Sequence, residues 1–233
     1  MVDFHSHILP SIDDGSKNIE ESMALLKLLV EQEVKTVVAS SHFYADFESP
    51  ESFLERRNKA YNELSLCLSS DFPNILLGAE VRFYSGISRM KELSSLCVEG
   101  TKLLLLEMPF SRWTEYTVNE LVELSCSNEI KIVLAHIERY LHMQEFGLLE
   151  RLREQGILVQ VNASFFESML SRRKAFKMLK NGYIDFIGSD CHNIKHRPPT
   201  INVSREAIAK KFGVDFLNDF IEYSNNLLAK YRV

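Results

Sequence analysis

Short apolar runs alternate with amphipathic segments from one end of the chain to the other. The runs at 2–7, 36–40, 75–80, 103–107, 130–136, 157–162 and 184–188 are rich in β-branched residues or leucine and show little polar alternation. That is the pattern of strands buried on both faces of a parallel sheet. Between them, residues 19–34 place Met23, Leu26, Leu29 and Val30 at helical spacing, and a second helix starts at Ser49 with Pro50 just inside it. Further helices are predicted over about 87–96, 117–128, 144–155, 166–180 and 204–212. A last one, over 214–231, aligns Phe216, Phe220 and Leu227 on one side, a stripe that reads as core packing before it reads as a partner surface.

Seven strands, each followed by a helix, predict an α/β fold: a seven-stranded βα barrel, (β/α)7, forming a single domain over residues 1–233. No Gly/Ser-rich linker, charge block or fixed-period repeat interrupts it. An open doubly wound sheet would carry a glycine-rich phosphate loop after its first strand. Here that strand ends in His5-Ser6-His7 instead.

Residues able to bind metal sit where the strands end. The second strand runs into His42, the third ends at Glu80, the fourth at Glu107 and the fifth at His136, and the seventh is followed by Asp190-Cys191-His192. In a βα barrel the carboxyl ends of all strands share one face, where active sites are built. Residues two apart on a strand point the same way, so His5 and His7 project together, as Asp190 and His192 do if the strand persists. Asn162, ending the sixth strand, is a polar neighbour and a poor ligand. Any one of these histidines could be a hydrogen-bonded structural residue. Of seven histidines, however, only His142 and His196 lie away from this face, and an unpaired Glu80 or Glu107 closing an apolar run would be costly. Imidazole and carboxylate without a thiolate cluster favour Mn, Fe, Zn or Mg. The donors exceed the needs of one ion, so two or three ions bridged by carboxylate are expected, an arrangement suited to hydrolysis at phosphorus.

Composition narrows the class further. With 45% hydrophobic and 25% charged residues in 233, the chain is neither disordered nor fibrous. No apolar run approaches the ~20 residues that span a bilayer, and no basic-then-apolar segment marks a secretory leader. A net charge of −5 argues against general nucleic-acid affinity. Cys67, Cys97, Cys126 and Cys191 show no CxxC spacing, so a reducing cytoplasm is the expected compartment.

In chain order, His5-Ser6-His7, Asp14, His42, Gly78-Ala79-Glu80, Glu107, the segment Ala135 to Tyr140 (AHIERY) and Ser189-Asp190-Cys191-His192-Asn193, closing in His196-Arg197-Pro198-Pro199, resemble the PHP (polymerase and histidinol phosphatase) superfamily. Within it, DFHSHILPSIDDGS at 3–16 and AHIERY resemble the bacterial tyrosine phosphatases of capsule and exopolysaccharide operons. The similarity extends from residue 2 to about 199. It implies a distorted seven-stranded TIM-like barrel of PHP type with three metal ions, commonly Mn2+, at the carboxyl ends of the strands. By motif, His5, His7, Glu80 and Asp190 would hold a first ion. Glu80 would bridge to a second completed by Glu107 and His136, and Asp14, His42 and His192 would hold a third. Asp14 enters only through the resemblance, since Asp13-Asp14-Gly15 alone is a turn signal. The resemblance gives Arg139 and Arg197 phosphate-binding roles, for which a planar, permanently charged guanidinium is suited. It implies a phosphotyrosine protein substrate, the Tyr-rich tail of a polysaccharide-export tyrosine kinase, hydrolysed in line by metal-bound hydroxide with no phosphoenzyme.

Departing from the more basic loop expected of such relatives, His42-Phe43-Tyr44-Ala45-Asp46-Phe47-Glu48 is aromatic; its rings could stack on a phosphotyrosine or pack the loop down. Four other readings compete, one of them a non-catalytic, metal-stabilised domain that only binds a partner. Histidinol phosphate or another small monoester is a possible substrate. Amidohydrolases and metal-dependent deoxyribonucleases also begin with HxH, but usually take a histidine where Asn162 stands. Cys191 to Arg197 fits the Cys-x5-Arg spacing of cysteine-dependent phosphatases, but has no glycine to let backbone amides close around phosphate.

Overall fold

In β6 (Leu103–Glu107) four consecutive leucines are fully buried, and they alternate between two cores. Leu104 and Leu106 face the helices, whereas Leu103 and Leu105 join Val2, Phe4, Val38, Val133, Leu158 and Phe186 on the inner face of a curled sheet. Burial on both faces is why these strands read as unbroken apolar runs.

The structure, a computed structural model, describes residues 1–126, 129–145 and 147–233. The remaining elements are β1 (Val2–Ser6), α1 (Ile19–Glu31), β2 (Thr36–Ala39), β3 (His42–Phe43), α2 (Pro50–Ser65), β4 (Asn74–Leu77), β5 (Glu80–Arg82), α3 (Glu115–Ser125), β7 (Lys131–Leu134), α4 (Leu148–Glu154), β8 (Leu158–Asn162), α5 (Met169–Lys180), β9 (Phe186–Gly188), α6 (Ile201–Phe212) and α7 (Val214–Lys230). Among the described residues the named strands pair in parallel, in the orders β1-β2-β4 and β3-β5-β6-β7-β8-β9.

Two predicted strands are each split. The second breaks at Ser40-Ser41 and the third at Gly78-Ala79, so Glu80 opens β5 instead of ending a strand. Backbone bonds cross both breaks, from Gly78 N to Ala39 O (2.9 Å) and from Glu80 N to Ser41 O (2.9 Å). At the other end of the order, Asp190 N donates to His5 O (2.7 Å) and His7 N to Cys191 O (2.9 Å), linking the segment after β9 to β1.

The helices form where caps and amphipathic stripes agree. Ser49 caps α2 by accepting from Ser52 N, with Pro50 in the first turn. The helix expected at 87–96 is instead two 3-10 turns, Ile87–Arg89 and Leu93–Leu96. Its apolar residues recur every three positions, a spacing that 3-10 geometry satisfies as well as α. The helix expected from 144 begins only at Leu148, after Gly147 in a left-handed conformation. The one expected from 166 begins after the Ser168 cap. Asn128 and Phe146, inside two of the predicted helices, lie outside the described residues. In α7, Leu227 and Leu228 join the inner core with Val2 and Phe4, so this stripe is packing; burying each such leucine contributes about 1.5–3 kcal/mol.

Candidate metal centre

The inner face changes character along the strands, from an apolar floor to a polar mouth. On β6, Leu103 and Leu105 are followed two residues on by Glu107; on β8, Leu158 is followed by Gln160 and Asn162. On β1 the register shifts between Asp3 and Ser6, and the side chains of His5 and His7 meet, their Nε2 atoms 3.2 Å apart. Two glycines allow this crowding. A Cβ at Gly188 would lie 2.5 Å from His5 Cβ, and one at Gly15 2.4 Å from His7 O.

Strand geometry does not persist through Asp190 and His192. β9 ends at Gly188, and Asp190 has a φ of 52°. His136 is likewise left-handed, with a φ of 32°. Two donors thus sit in a backbone conformation costly to non-glycine residues, of the kind that gathers at functional sites.

Glu80 is the hub. Its Oε2 lies 3.1 Å from His5 Nε2, 3.3 Å from His7 Nε2 and 3.1 Å from His42 Nδ1, while Oε1 lies 2.8 Å from His136 Nε2. Asp190 Oδ1 is 3.6 Å from His5 Nε2 and 3.5 Å from His7 Nε2. Asp14 Oδ1 is 3.4 Å from both His42 Nε2 and His192 Nε2, and Glu107 Oε1 is 3.6 Å from His136 Nε2. Among the described residues four groups have donor atoms close enough to share an ion: His7, Asp14, His42 and His192; His5, His7 and Asp190; His5, Glu80 and His136; and His42, Glu80 and Glu107. All nine donors expected from the sequence stand in these groups, and His142 and His196 in none.

The donor chemistry fits divalent ions. Four histidines are hydrogen-bonded through Nδ1, His5 to Gln160 Oε1 (3.2 Å), His7 to Asp13 Oδ2 (2.8 Å), His136 to Tyr140 Oη (3.2 Å) and His192 to Asp190 O (3.0 Å). Each therefore turns Nε2 into the cluster, the arrangement in which outer partners fix a ligating imidazole. His42 Nδ1, though near Glu80, is buried without a hydrogen bond, an orphaned polar atom that an ion would satisfy.

The charge balance points the same way. Burial opposes ionising Glu80, yet the His5, His136 and His7 imidazoles outweigh it and hold its carboxyl well below the usual range. Burial likewise opposes charging His5 and His7, but carboxylates raise both: Glu80 and Asp190 for His5, Asp13 and Glu80 for His7. Burial dominates at His42 and His136 and pushes both down; His192 falls to about 4, from burial and then the charge of His7. Three carboxylates, Glu80, Asp190 and Asp13, thus raise only two of the five imidazoles. Burial, then repulsion by Glu80, lifts Glu107 to about 7.

Sequence reasoning missed the supports. Gln160 Oε1 also accepts from His136 N (2.7 Å), and its signal was a buried amide in an otherwise apolar strand. Asp13, counted only within a turn, accepts from His42 N (2.9 Å) as well as bonding His7. Asn162, expected from the sequence as a polar neighbour, is one: it donates to Asp190 Oδ2 (2.8 Å).

Arg139 and Arg197 converge on Asp190 Oδ2, Arg197 at 2.8 Å, and Arg197 Nη1 lies 2.8 Å from His192 Nε2. Both guanidinium groups are more than a third exposed, so two permanent positive charges line the mouth. Cys191 is fully buried, and burial first, then the Asp3 charge, pushes its thiol far above the usual range. That is the opposite of a nucleophilic thiolate.

The model of a family described as capsular polysaccharide synthesis, CpsB/CapC, matches residues 1–229. The tyrosine-protein phosphatase CpsB of Streptococcus pneumoniae is 31% identical over 229 residues, covering 91% of each chain. The tyrosine-protein phosphatase YwqE of Bacillus subtilis is 29% identical, covering 100% of this chain and 93% of its own. A solved structure from the pair YwqE of Bacillus subtilis and CpsB of Streptococcus pneumoniae, described as metal-dependent tyrosine phosphatases, has a TM-score of 0.83 at 24% identity. It covers 100% of this chain and 96% of that one, a similarity of fold.

Proposed function

The chain belongs to the CpsB/CapC family of capsular polysaccharide synthesis, and from that premise we propose that it is a metal-dependent protein-tyrosine phosphatase. One observation carries the reading: four histidines, each anchored through Nδ1, direct Nε2 at Glu80, Asp190 or Asp14 beneath two arginines. His5, His7, Glu80 and Asp190 would hold one ion, Glu80, Glu107 and His136 a second, and Asp14, His42 and His192 a third; Mn2+ is our choice of metal. Ions at such a centre lower the pKa of a coordinated water towards neutrality and offset phosphoryl charge.

The chain's own residues do the rest. Asn162 holds Asp190 Oδ2, leaving Oδ1 turned to His5 and His7. Arg139 and Arg197 clamp the phosphoryl oxygens from the open side, where paired N–H groups match their geometry. A tyrosine leaving group, with a phenol pKa near ~10, needs little help from an acid. The substrate would be a phosphotyrosine protein, the Tyr-rich tail of a polysaccharide-export tyrosine kinase, and the site of action the cytoplasm; among the described residues no helix is long and apolar enough to cross a membrane. The whole chain would fold as one domain. The backbone bonds across the strand breaks and between the β9 end and β1 support a distorted seven-stranded barrel of PHP type.

Phosphate release from a phosphotyrosine peptide, histidinol phosphate and a simple amide tests the reading. Preference for the peptide, abolished by chelation, is expected. Faster release from histidinol phosphate would make it a small-monoester phosphatase, and amide cleavage alone would overturn it.

A further inference from the structure

Two of the most exposed large apolar side chains, Phe47 (81% exposed) and Phe110 (70%), stand on the loops that leave the carboxyl ends of β3 and β6. Isolated exposed apolar residues are ordinary. These two share further features. Each sits one aromatic ring away from a histidine of the donor cluster. On one side Tyr44 stacks on His42, with centroids 5.3 Å apart at 24°, and Phe47 meets Tyr44 edge-on at 6.0 Å. On the other, Tyr140 bonds His136 Nδ1 through its hydroxyl, and Phe110 meets Tyr140 edge-on at 6.1 Å.

Both loops are also fixed. Phe47 N and Glu48 N donate to Tyr44 O, and Glu48 forms a paired ion contact with Arg56, whose Nη1 also donates to Ile12 O (3.1 Å). Around Phe110, Trp113 Nε1 donates to Pro109 O (3.1 Å), and Gln144 bonds both Trp113 N and Ser111 O. The rings are therefore held out by ordered backbone.

Only β5 separates β3 from β6 in the sheet, so the two loops rise about two strand spacings apart, roughly 10 Å. β5 opens with Glu80, and His42, Glu80 and Glu107 form one of the donor groups, at the base of this gap. Arg82, at the end of β5, places its guanidinium 5.7 Å from the Tyr44 ring.

We propose that Tyr44, Phe47 and Phe110 form a slot that grips the aromatic ring of an aryl phosphate whose phosphate lies over the donor cluster, and so set the preference for aryl over alkyl phosphomonoesters. The proposal rests on the phosphatase reading for the placement of the phosphate. Aromatic contacts in offset or edge-on geometry supply specificity beyond the area they bury.

The test separates binding from turnover. Binding of the non-hydrolysable pair phenylphosphonate and methylphosphonate is measured by titration calorimetry on the Mn-supplemented full chain, alongside kcat/KM for a phosphotyrosine peptide and β-glycerophosphate. The native protein is expected to favour the phenyl ligand by at least about tenfold. In Phe47→Ala/Phe110→Ala that preference falls to near unity, and kcat/KM drops for the peptide but not for β-glycerophosphate. Phe47→Tyr/Phe110→Tyr retains the preference, which a loss of folding in the alanine variant could not mimic. Equal binding of the two phosphonates by the native protein, or equal losses on both substrates in the alanine variant, would overturn the slot. A native protein that prefers phenylphosphonate yet releases no phosphate from any ester would refute the phosphatase reading and leave the slot standing.

Discussion

The deep and the outer parts of the donor cluster are built differently. His5, Glu80, His136 and Asp190 are at most 4% exposed and are braced by Gln160, Asn162 and Tyr140. The outer group adds Asp14, 66% exposed on the turn after β1, to His42 and His192. Deep donors gain precision from packing, because a buried carboxylate among imidazoles has no water to fall back on. An outer donor on a turn can exchange with solvent. The deep part should therefore be intolerant of change and the outer part adjustable.

The sharpest break of that contrast is Glu80→Gln. It removes the charge shared by His5, His7, His42 and His136, and kcat/KM for a phosphotyrosine peptide should fall by on the order of 10^3-fold or more. A fall below tenfold would show that Glu80 is not the hub. Next comes Arg197→Ala at the mouth, with roughly 10^2-fold lost from kcat at saturating substrate, because charge developing on the phosphoryl group loses a fixed partner. An effect confined to KM would reduce Arg197 to ground-state binding.

Two further variants, one at a support and one at an outer donor, refine the comparison. Gln160→Leu frees His5 and His136 from a shared anchor and should weaken Mn binding by about 10–100-fold. Asp14→Asn should release only the most weakly held ion, seen as one equivalent fewer per chain after dialysis. Equal losses from both variants would erase the distinction between deep and outer donors.

The smallest effect is in the stability of the metal-free protein. His5 and His7 have folded pKa values raised from 6.5. Their contribution is complete below about pH 6.5 and is lost as pH rises through the raised values. His42, His136 and His192 are shifted down from 6.5, so their contribution is present above that pH and is lost as pH falls through the lowered values. Burial-raised carboxyls work against this on the acid side, since the contributions of Glu107 and Glu138 are lost as pH rises through about 7 and that of Asp3 through about 6. Tm scanned from about pH 4 to about pH 9 should therefore have its maximum at or below about pH 6.5 and fall above it. Adding metal, which takes neutral imidazole, should move the peak upward. A Tm that keeps rising above about pH 6.5 would contradict this charge balance.

Much of this could be read from residue order. Glu107 closes an apolar run and closes β6 in the structure, because a strand buried on both faces leaves a clear boundary where a charge first appears. Glu80 was legible as a donor but misplaced in its strand, since the switch of neighbours at Gly78-Ala79 is decided by sheet pairing and not by local propensity. Asp190 and His192 reach the cluster through a left-handed turn, so alternation was the wrong geometry for a correct grouping. Asp14 carries no signal of its own beyond a turn. Asp13 and Gln160 act only through histidines brought near by the fold, at separations of 6 and 155 residues for His7 and His5.

The central claim, that this cluster hydrolyses phosphotyrosine through bound metal, is tested most directly by titrating Mn2+ into chelated protein. Bound ions per chain and phosphate release from a phosphotyrosine peptide are recorded at each point, for the native protein and for Cys191→Ser. Activity that is absent without metal, rises as ions load and follows the same curve in Cys191→Ser is the predicted result. Activity in the metal-free sample that disappears in Cys191→Ser would contradict it.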